Sequence, residues 1–201
     1  MRHAVLLVAA ALALLLGRGG PAPAAVTCPA DVTQGGASGD DTLDGTSGPD
    51  RLAGQGGNDT LNGNEGSDCL LGGSNDDKLF GGPHDDELRG EGGNDTLDGG
   101  DGDDDLHGGS NNDTMTGGLG LDTLAGEGGN DVLLVFPGDV PAGGVEKLHG
   151  GSGSDTAIFL LFDLYGVSAP VGPNWTVVDP VTGGTYKATG VENAQVPPTP
   201  R

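Results

Sequence analysis

The chain has few of the residues from which most active sites and most protein cores are built. Aromatic residues make up 3% of its 201 residues, and the whole chain has two cysteines, four histidines and eight lysines and arginines. So few thiols and imidazoles argue against a zinc protein. The scarcity of basic residues argues against a nucleic-acid partner. The common catalytic and nucleotide-binding motifs, H-E-x-x-H, G-x-S-x-G, the Walker loop and the dinucleotide fingerprint, are also missing.

Long hydrophobic runs are missing too, with one exception near the start. The thirteen residues Ala4 to Leu16 are apolar, follow Met1-Arg-His3 and precede Ala22-Pro-Ala24. This order predicts a secretory signal peptide over residues 1–24. A membrane span needs ~20 apolar residues, so we expect no span and a secreted, extracellular mature chain. A lipid anchor at Cys28 is the alternative, although the preceding Ala-Val-Thr is a poor lipoprotein signal.

Charge of one sign dominates what is present. The formal net charge is -22, and without residues 1–24 six basic residues face thirty acidic ones. Such a chain with little apolar surface repels itself and stays disordered unless counter-ions are present.

The aspartates follow a strict nine-residue period from Gly36 to Leu134, which gives eleven units without a change of phase. Each unit begins with Gly, has Asp at its sixth position and Leu or Met at its eighth. A disordered acidic tail has no reason to keep this phase, so each unit is predicted to be one structural element stacked on its neighbours. The sixth positions are Asp41, Asp50, Asp59, Asp68, Asp77, Asp86, Asp95, Asp104, Asp113, Asp122 and Asp131, and the eighth are Leu43, Leu52, Leu61, Leu70, Leu79, Leu88, Leu97, Leu106, Met115, Leu124 and Leu133.

The unit combines a tight turn with a short strand. Glycine at the first and fourth positions predicts positive φ there, and the fourth-position exceptions Asn75, His84 and Asn111 are types that tolerate it. The Asp supplies a hard carboxylate oxygen, which suits Ca²⁺ together with loop carbonyls. The following x-Leu-x predicts a strand with its middle residue buried. The core is then a thin ladder of leucines, so we expect metal to supply much of the folding free energy.

Two segments carry a family resemblance. Gly54 to Asn62 (G-Q-G-G-N-D-T-L-N) and Gly90 to Asp98 (G-E-G-G-N-D-T-L-D) are close to the consensus G-G-x-G-x-D-x-U-x. The chain therefore resembles the RTX, or haemolysin-type, calcium-binding nonapeptide-repeat proteins. The resemblance implies an all-β fold, a right-handed parallel β-roll (a β-solenoid) with a C-terminal β cap. It also implies that six residues of each unit form a calcium loop and three a strand, with two units in each turn.

The candidate metal ligands follow from that resemblance. They are the eleven sixth-position aspartates and Asp155, the sixth residue of a weaker repeat, Gly150 to Ile158. If calcium lies between units n and n+2, the main array holds at most about nine ions, and their positive charge cancels most of the acidic surplus.

Both ends of the array are predicted to be capped. We assign residues 25–35 to an N-terminal cap, 36–134 to the calcium-binding β-roll, and 135–201 to a degenerate repeat with a C-terminal β capping region. Six of the seven aromatic residues lie beyond Leu134. The alternative for this region is a ligand-binding mini-domain that uses Trp175 and Tyr186. The predicted capping strands are Ala157 to Phe162, Trp175 to Val178 and Thr185 to Lys187, with a closing turn at Gly190 to Asn193.

The two cysteines, Cys28 and Cys69, are predicted to form a disulfide bond, since an oxidising compartment favours pairing. Cys69 occupies the seventh position of its unit, on the outer face, where an N-terminal segment can cross the roll.

These features together predict a secreted, non-enzymatic calcium-binding protein that folds on binding Ca²⁺. The alternative is a calcium-dependent adhesion module that presents the C-terminal aromatic residues to a cell-surface glycan or protein. An RTX-associated hydrolase is a third hypothesis, but only about sixty-seven residues, 135–201, remain after the array.

Overall fold

The computed structural model describes residues 34–136, 144–159, 174–178, 185–191 and 193–195. All regular structure in these ranges is β-strand, and no helix there is long and apolar enough to cross a membrane. The strands are β1 (Gln34–Gly35), β2 (Thr42–Asp44), β3 (Arg51–Gly56), β4 (Thr60–Asn62), β5 (Cys69–Ser74), β6 (Lys78–Pro83), β7 (Glu87–Gly92), β8 (Thr96–Asp101), β9 (Asp105–Ser110), β10 (Thr114–Leu119), β11 (Thr123–Gly128), β12 (Val132–Val135), β13 (Val145–His149), β14 (Thr156–Phe159), β15 (Asn174–Val178), β16 (Thr185–Thr189) and β17 (Asn193–Gln195).

The strands form two sheets, which the chain visits alternately from β1 to β14. One sheet has the order β1-β3-β5-β7-β9-β11-β13-β16-β15, and the other has the order β17-β14-β12-β10-β8-β6-β4-β2. Inside the array each strand pairs in parallel with the strand two units later, so that Leu52 faces Leu70 and Leu79 faces Leu97. Two units therefore make one turn, and the predicted parallel β-roll is confirmed.

The core is the predicted ladder of eighth-position residues between the two sheets. Ten of the eleven have at most 1% of their surface exposed, and Leu43, in the first unit, has 5%. Most neighbouring seventh and ninth residues are exposed or half-exposed. The alternation follows from the two-residue period of a strand with one covered face. Each unit of the array therefore contributes one eighth-position side chain to the core.

The strands are longer than the resemblance implies. Eight of them, β3 and β5 to β11, have six residues rather than three. Each continues from the seventh position of one unit through the third position of the next, because parallel pairing persists across the glycines, as between Gly82 and Gly100. The turn that reverses the chain is accordingly compact.

In units three to eleven positive φ occurs at the second and fourth positions, not at the first and fourth as predicted. The fourth-position prediction is confirmed at Asn75, His84 and Asn111, with φ of 78°, 87° and 77°. The second position carries positive φ even where it is Gln55 (79°) or Glu91 (71°). The prediction of positive φ at the first position is wrong, so glycine is required there for another reason.

Beyond the array the solenoid continues with a longer interval. Leu124 pairs with Leu148 and Leu133 with Ala157, so twenty-four residues rather than eighteen separate partners. Strands β16 and β17 then extend the two sheets in parallel, and β15 adds an antiparallel strand to β16. All three predicted capping strands overlap these elements, although residues 160–162 lie outside the described ranges.

Cys69 differs from the other seventh-position residues because it has no exposed surface. It is also not a free thiol. Its predicted partner, Cys28, lies outside the described residues, as does the predicted signal peptide, so both stay predictions.

Candidate metal centre

The sixth-position aspartates lie immediately before the strands, where the chain passes from one sheet to the other. Because the sheets alternate along the chain, the aspartates of odd-numbered units line one edge of the roll and those of even-numbered units line the other. We call these the first row and the second row. The first row is Asp41, Asp59, Asp77, Asp95, Asp113, Asp131 and Asp155, and the second is Asp50, Asp68, Asp86, Asp104 and Asp122.

One oxygen of each later carboxylate holds the neighbouring turn. The backbone N–H of Asp77 donates to Oδ1 of Asp95 at 2.8 Å, and the N–H of Asp95 donates to Oδ1 of Asp113 at 2.8 Å. Equivalent bonds of 2.7–2.9 Å join every successive pair in both rows. The predicted stacking of aspartates eighteen residues apart is therefore present, and Asp155 joins the first row after an interval of twenty-four.

The other oxygen, Oδ2, is buried without a hydrogen-bond partner in eight of these residues, within the part of the chain that the structure describes. These side chains are at most 2% exposed. A buried carboxylate oxygen without a partner costs free energy, and its repetition along two rows indicates a common missing partner of positive charge. The eight are Asp59, Asp68, Asp77, Asp86, Asp95, Asp104, Asp113 and Asp131.

Each Oδ2 lies against the first glycine of its own unit, which explains that glycine. A Cβ on Gly72 would lie 2.5 Å from Oδ2 of Asp77 and 2.9 Å from the carbonyl oxygen of Gly90, in the next turn. The equivalent pair surrounds Gly63, where a Cβ would lie 2.5 Å from both Oδ2 of Asp68 and the carbonyl oxygen of Gly81. The first residue is thus glycine because a side chain would fill a cradle lined with oxygen atoms.

The first two units differ from the rest. Oδ2 of Asp41 accepts the N–H of Ala37 at 2.7 Å, and Oδ2 of Asp50 accepts the N–H and the hydroxyl of Thr46 at 2.6 and 2.8 Å. The carboxylates that sequence analysis treats as equivalent are therefore not equivalent, since protein groups already satisfy the outermost two.

Burial also raises the pKa of several aspartates in the two rows. Desolvation raises the pKa of Asp77, Asp86 and Asp113 to about 7 and that of Asp104 to about 8, and neighbouring carboxylates add to the rise. The backbone N–H bonds at Oδ1 oppose the shift without cancelling it. Buried carboxylates that lie close together bind protons tightly, because ionisation costs desolvation and mutual repulsion. A bound cation would reduce both costs.

The donor set suits a hard cation. Among the described residues no group of three His, Cys, Asp or Glu side chains could hold a metal ion by itself, so a site here must combine carboxylate oxygens with backbone carbonyls. Calcium prefers such an all-oxygen set, whereas zinc prefers nitrogen and sulfur. The residues present therefore fit calcium.

A second ladder, at the fifth position, was missed by sequence analysis. The N–H of Asn94 donates to Oδ1 of Asp76 at 2.7 Å, and the N–H of Asn130 donates to Oδ1 of Asn112 at 2.7 Å. These bonds run from a later turn to an earlier side chain, opposite to the sixth-position bonds. The recurrent Asn or Asp before the sixth residue is the signal that would have revealed it.

Glu146 was also missed. Lys147, Leu148 and His149 pair with residues 123–125, which places Glu146 beside Asp122 in the second row, and only 3% of its surface is exposed. The next residue in that register is Tyr186, whose hydroxyl donates to the carbonyl oxygen of Phe136 at 2.8 Å. The Leu two residues before Gly150 was the available signal, since it marks an eighth position and makes Glu146 a sixth.

Comparison with known families agrees with this geometry. The family described as RTX calcium-binding nonapeptide repeat matches four times, at residues 35–70, 64–97, 71–106 and 98–133. A comparison with curated protein sequences finds no match.

Proposed function

The chain belongs, across residues 35–133, to the RTX calcium-binding nonapeptide-repeat family, and on that premise we propose that its two rows of aspartates bind calcium and that binding drives folding of the roll. The ligands are the twelve aspartates of the two rows, together with loop carbonyls. The role is structural and non-enzymatic, as is general for this repeat.

The observation that carries the proposal is the set of eight buried Oδ2 atoms without partners. Seven of the eight, all but that of Asp113, lie in a cradle that also has a carbonyl oxygen of the next turn close by. When bound there, calcium supplies positive charge and coordination for oxygens that have no hydrogen-bond partner in the described part of the chain. The inner carboxylates, such as Asp77 and Asp104, are therefore better candidates for calcium ligands than Asp41 and Asp50, whose Oδ2 atoms already accept protein hydrogen bonds.

Folding and binding are coupled because the site does not exist in the unfolded chain. Each cradle takes its carboxylate and its carbonyl from different turns, so two turns must stack before a site forms. The core contributes one buried side chain per unit, which leaves a large share of the stability to the ions. Extracellular calcium modules have Kd values near ~10⁻⁴–10⁻³ M, so the protein would be disordered at low calcium and ordered outside the cell.

The test is a calcium titration followed by far-UV circular dichroism, with a bound-ion count by native mass spectrometry. We expect a cooperative gain of β-structure and at most about nine ions in the main array. Magnesium at the same concentrations is the control, because it dehydrates reluctantly and demands a smaller octahedral site. Identical spectra in chelator and in millimolar calcium would contradict the proposal.

We also propose that the protein is secreted and that Cys28 and Cys69 form a disulfide bond. The apolar run near the N-terminus supports export through residues 1–24, and an extracellular location supplies both calcium and an oxidising environment. The buried position of Cys69 supports the bridge. N-terminal sequencing of the exported protein tests the first, and mass spectrometry of unreduced peptides tests the second.

Calcium-dependent adhesion is the second candidate. One of the two aromatic residues of the alternative ligand-binding region, Tyr186, is fully buried with its hydroxyl hydrogen-bonded to Phe136, so it offers no surface to a glycan. A pull-down from cell-wall material with and without calcium tests whether any partner binds elsewhere on the roll.

A further inference from the structure

We propose that the outer face of the nine-stranded sheet binds an anionic polysaccharide through Lys147 and Lys187 once calcium has folded the roll. This inference rests on the proposed function, because the face is assembled only in the folded roll. It goes beyond that function, because the two lysines are not calcium ligands and lie after residue 133, where the matched repeats end.

Positive charge is concentrated on one of the two sheets. Five lysines and arginines lie within the described residues, and four of them project from the outer face of the nine-stranded sheet. The fifth, Lys78, lies on the eight-stranded sheet. In a chain with thirty acidic residues, this outer face is where a polyanion meets the least repulsion. The four residues are Arg51, Arg89, Lys147 and Lys187.

The basic residues of this face differ in their partners. Nη2 of Arg89 lies 2.6 Å from Oε1 of Glu87, and His107 lies between two carboxylates at 3.4 and 2.9 Å. Lys147 and Lys187 have no side-chain ion pair or hydrogen bond among the described residues. The charge near the C-terminal end of the sheet is therefore not neutralised by that part of the chain.

The two lysines lie directly opposite each other. Strands β13 and β16 pair in parallel, with Lys147 opposite Lys187 and His149 opposite Thr189, and all four residues are exposed. Neighbouring strands lie about 4.8 Å apart. Like charges directly opposite each other destabilise a sheet. An anionic group bound between the two ammonium groups would remove this repulsion.

The groups around the lysines suit a ligand rich in hydroxyls. Nδ1 of His149 and Oγ1 of Thr189 share a hydrogen bond of 2.6 Å, which holds the imidazole on the face. Thr123, opposite Lys147, and Thr185, in β16, are half-exposed on the same side of the sheet. A threonine hydroxyl both donates and accepts hydrogen bonds. The face thus offers hydroxyl partners beside its positive charge, as a sugar chain with acidic groups requires.

A lipid surface or a nucleic acid fits this face less well. The large apolar side chains exposed among the described residues are Phe80, Leu119 and Phe136, and none of these belongs to the nine-stranded sheet. Membrane-surface binding needs apolar groups that enter the bilayer, and binding of single-stranded nucleic acid uses aromatic rings on which bases stack. An exposed strip of lysine, histidine and threonine favours a linear polysaccharide.

Bound calcium assists this interaction through charge as well as through folding. The calcium-free chain repels a polyanion, because its formal net charge is -22. Each bound ion offsets two negative charges. At physiological ionic strength the Debye length is about 8 Å, so a polysaccharide on this face interacts with the nearby lysines more than with the distant acidic residues.

The test measures binding of the calcium-loaded full chain to immobilised heparin, hyaluronan and dextran by surface plasmon resonance. Heparin carries sulfates, hyaluronan carries carboxylates and dextran is neutral, so the three arms identify the anionic group. We expect binding to at least one charged polysaccharide and none to dextran. Lys147→Gln and Lys187→Gln should each weaken binding about fivefold and together roughly 30-fold, as for basic residues near an anionic surface. Lys78→Gln, at the same seventh position but on the other sheet, is the matched control and should bind like the wild type.

The outcomes separate this inference from the function on which it rests. Circular dichroism in calcium comes first, and a wild type that gains no β-structure would overturn the proposed function. A folded wild type that binds neither charged polysaccharide, or binds dextran equally well, would overturn the inference alone. Binding to phosphatidylserine vesicles without binding to either charged polysaccharide would also overturn it, in favour of a lipid surface.

The double variant decides whether the lysines make the contact. If it binds as tightly as the wild type, calcium rather than lysine bridges the polysaccharide to the protein, and the inference is wrong. Should the double variant not fold, a salt series on the wild type still decides. Binding should weaken at least tenfold between about 0.05 M and about 0.5 M sodium chloride, and binding that is independent of salt would refute a contact between lysines and an anion.

Discussion

Replacing Asp95 by asparagine should change the stability of the roll in opposite directions with and without calcium. Asp95 is 1% exposed, its Oδ1 accepts the N–H of Asp77 at 2.8 Å, and its Oδ2 has no hydrogen-bond partner among the described residues. Asparagine preserves the first interaction and removes the buried charge. The variant therefore isolates the charge from the hydrogen bond.

Without calcium, the charge is a cost. Burial raises the pKa of Asp95 from 3.8 to about 6, and a shift of roughly two units corresponds to at most about 3 kcal/mol against the ionised form. Asp95→Asn should stabilise the calcium-free roll by up to this amount. The measurement is the trimethylamine oxide concentration needed to induce β-structure in chelator, since this osmolyte favours burial, and it should fall.

With calcium, the same charge is a ligand. Asp95 belongs to two adjacent pairs, with Asp77 and with Asp113. A site filled at about 100 times its Kd stabilises the folded state by ~2.7 kcal/mol, so losing one or both sites removes about 3–5 kcal/mol of binding free energy. The gain from removing the buried charge offsets part of this loss, and urea denaturation at saturating calcium should show a net destabilisation that is largest when both sites are lost.

Asp103→Asn is the matched control, because Asp103 is a half-buried fifth-position residue whose Oδ1 accepts the N–H of Leu121 at 2.8 Å. It should move neither midpoint appreciably. If Asp95→Asn destabilises the roll equally in chelator and in calcium, the carboxylate acts only through its hydrogen bond, and the reasoning fails.

Three further predictions follow from the rows, the cradles and the core. In chelator, β-structure should increase as the pH falls from 8 to 6, a range in which exposed carboxylates do not titrate. The folded pKa of Asp104, about 8, exceeds its unfolded value of 3.8, so its contribution to stability is complete below pH 3.8 and is lost as the pH rises through 8. A circular dichroism signal that is flat between pH 8 and pH 6 would contradict the raised pKa. Gly72→Ala should cost about 1–3 kcal/mol by overpacking and weaken calcium binding, whereas Gly92→Ala, whose Cβ would meet nothing closer than 3.7 Å, should be nearly neutral in the same calcium titration. At saturating calcium, urea denaturation should show that Leu106→Ala lowers the free energy of unfolding by about 2–5 kcal/mol and Met115→Leu by less than about 1.5 kcal/mol. Similar losses in the two variants would mean that the leucine ladder is not a packed core.

The sequence predicts the features that depend on the period and on the family resemblance. A strict nine-residue repeat with one apolar residue per strand requires the leucine ladder, and the two units per turn that the resemblance implies bring aspartates eighteen residues apart into contact. The structure has both. The fourth-position φ at Asn75 and Asn111 also follows, because those residue types tolerate it.

The sequence does not predict why each glycine is required. Glycine serves both for positive φ and for close approach, and a recurring first glycine such as Gly72 looks the same in either case. Only the position of the Asp77 carboxylate decides. At the second position, Gln55 and Glu91 show positive φ without the residue type that would announce it.

Phase changes hide functional residues for a related reason. Glu146 occupies a sixth position, but the preceding interval is longer than nine residues, and a fixed period no longer points to it. The fifth-position ladder is hidden as well, although Asn or Asp recurs at that position. Its geometry depends on the neighbouring turn, which a single unit does not contain.

The longer interval between Asp131 and Asp155 shows how this architecture can change length. Six additional residues enter the chain between β12 and β13, yet the pairing of Leu124 with Leu148 and of Leu133 with Ala157 keeps both sheets in step. The connection between the two sheets is thus a permissive insertion point, whereas an insertion inside a strand would exchange its inward and outward faces. A peptide tag or a fused domain placed in this connection should leave every stacked carboxylate in its row, which makes the roll a usable scaffold for displaying foreign sequence.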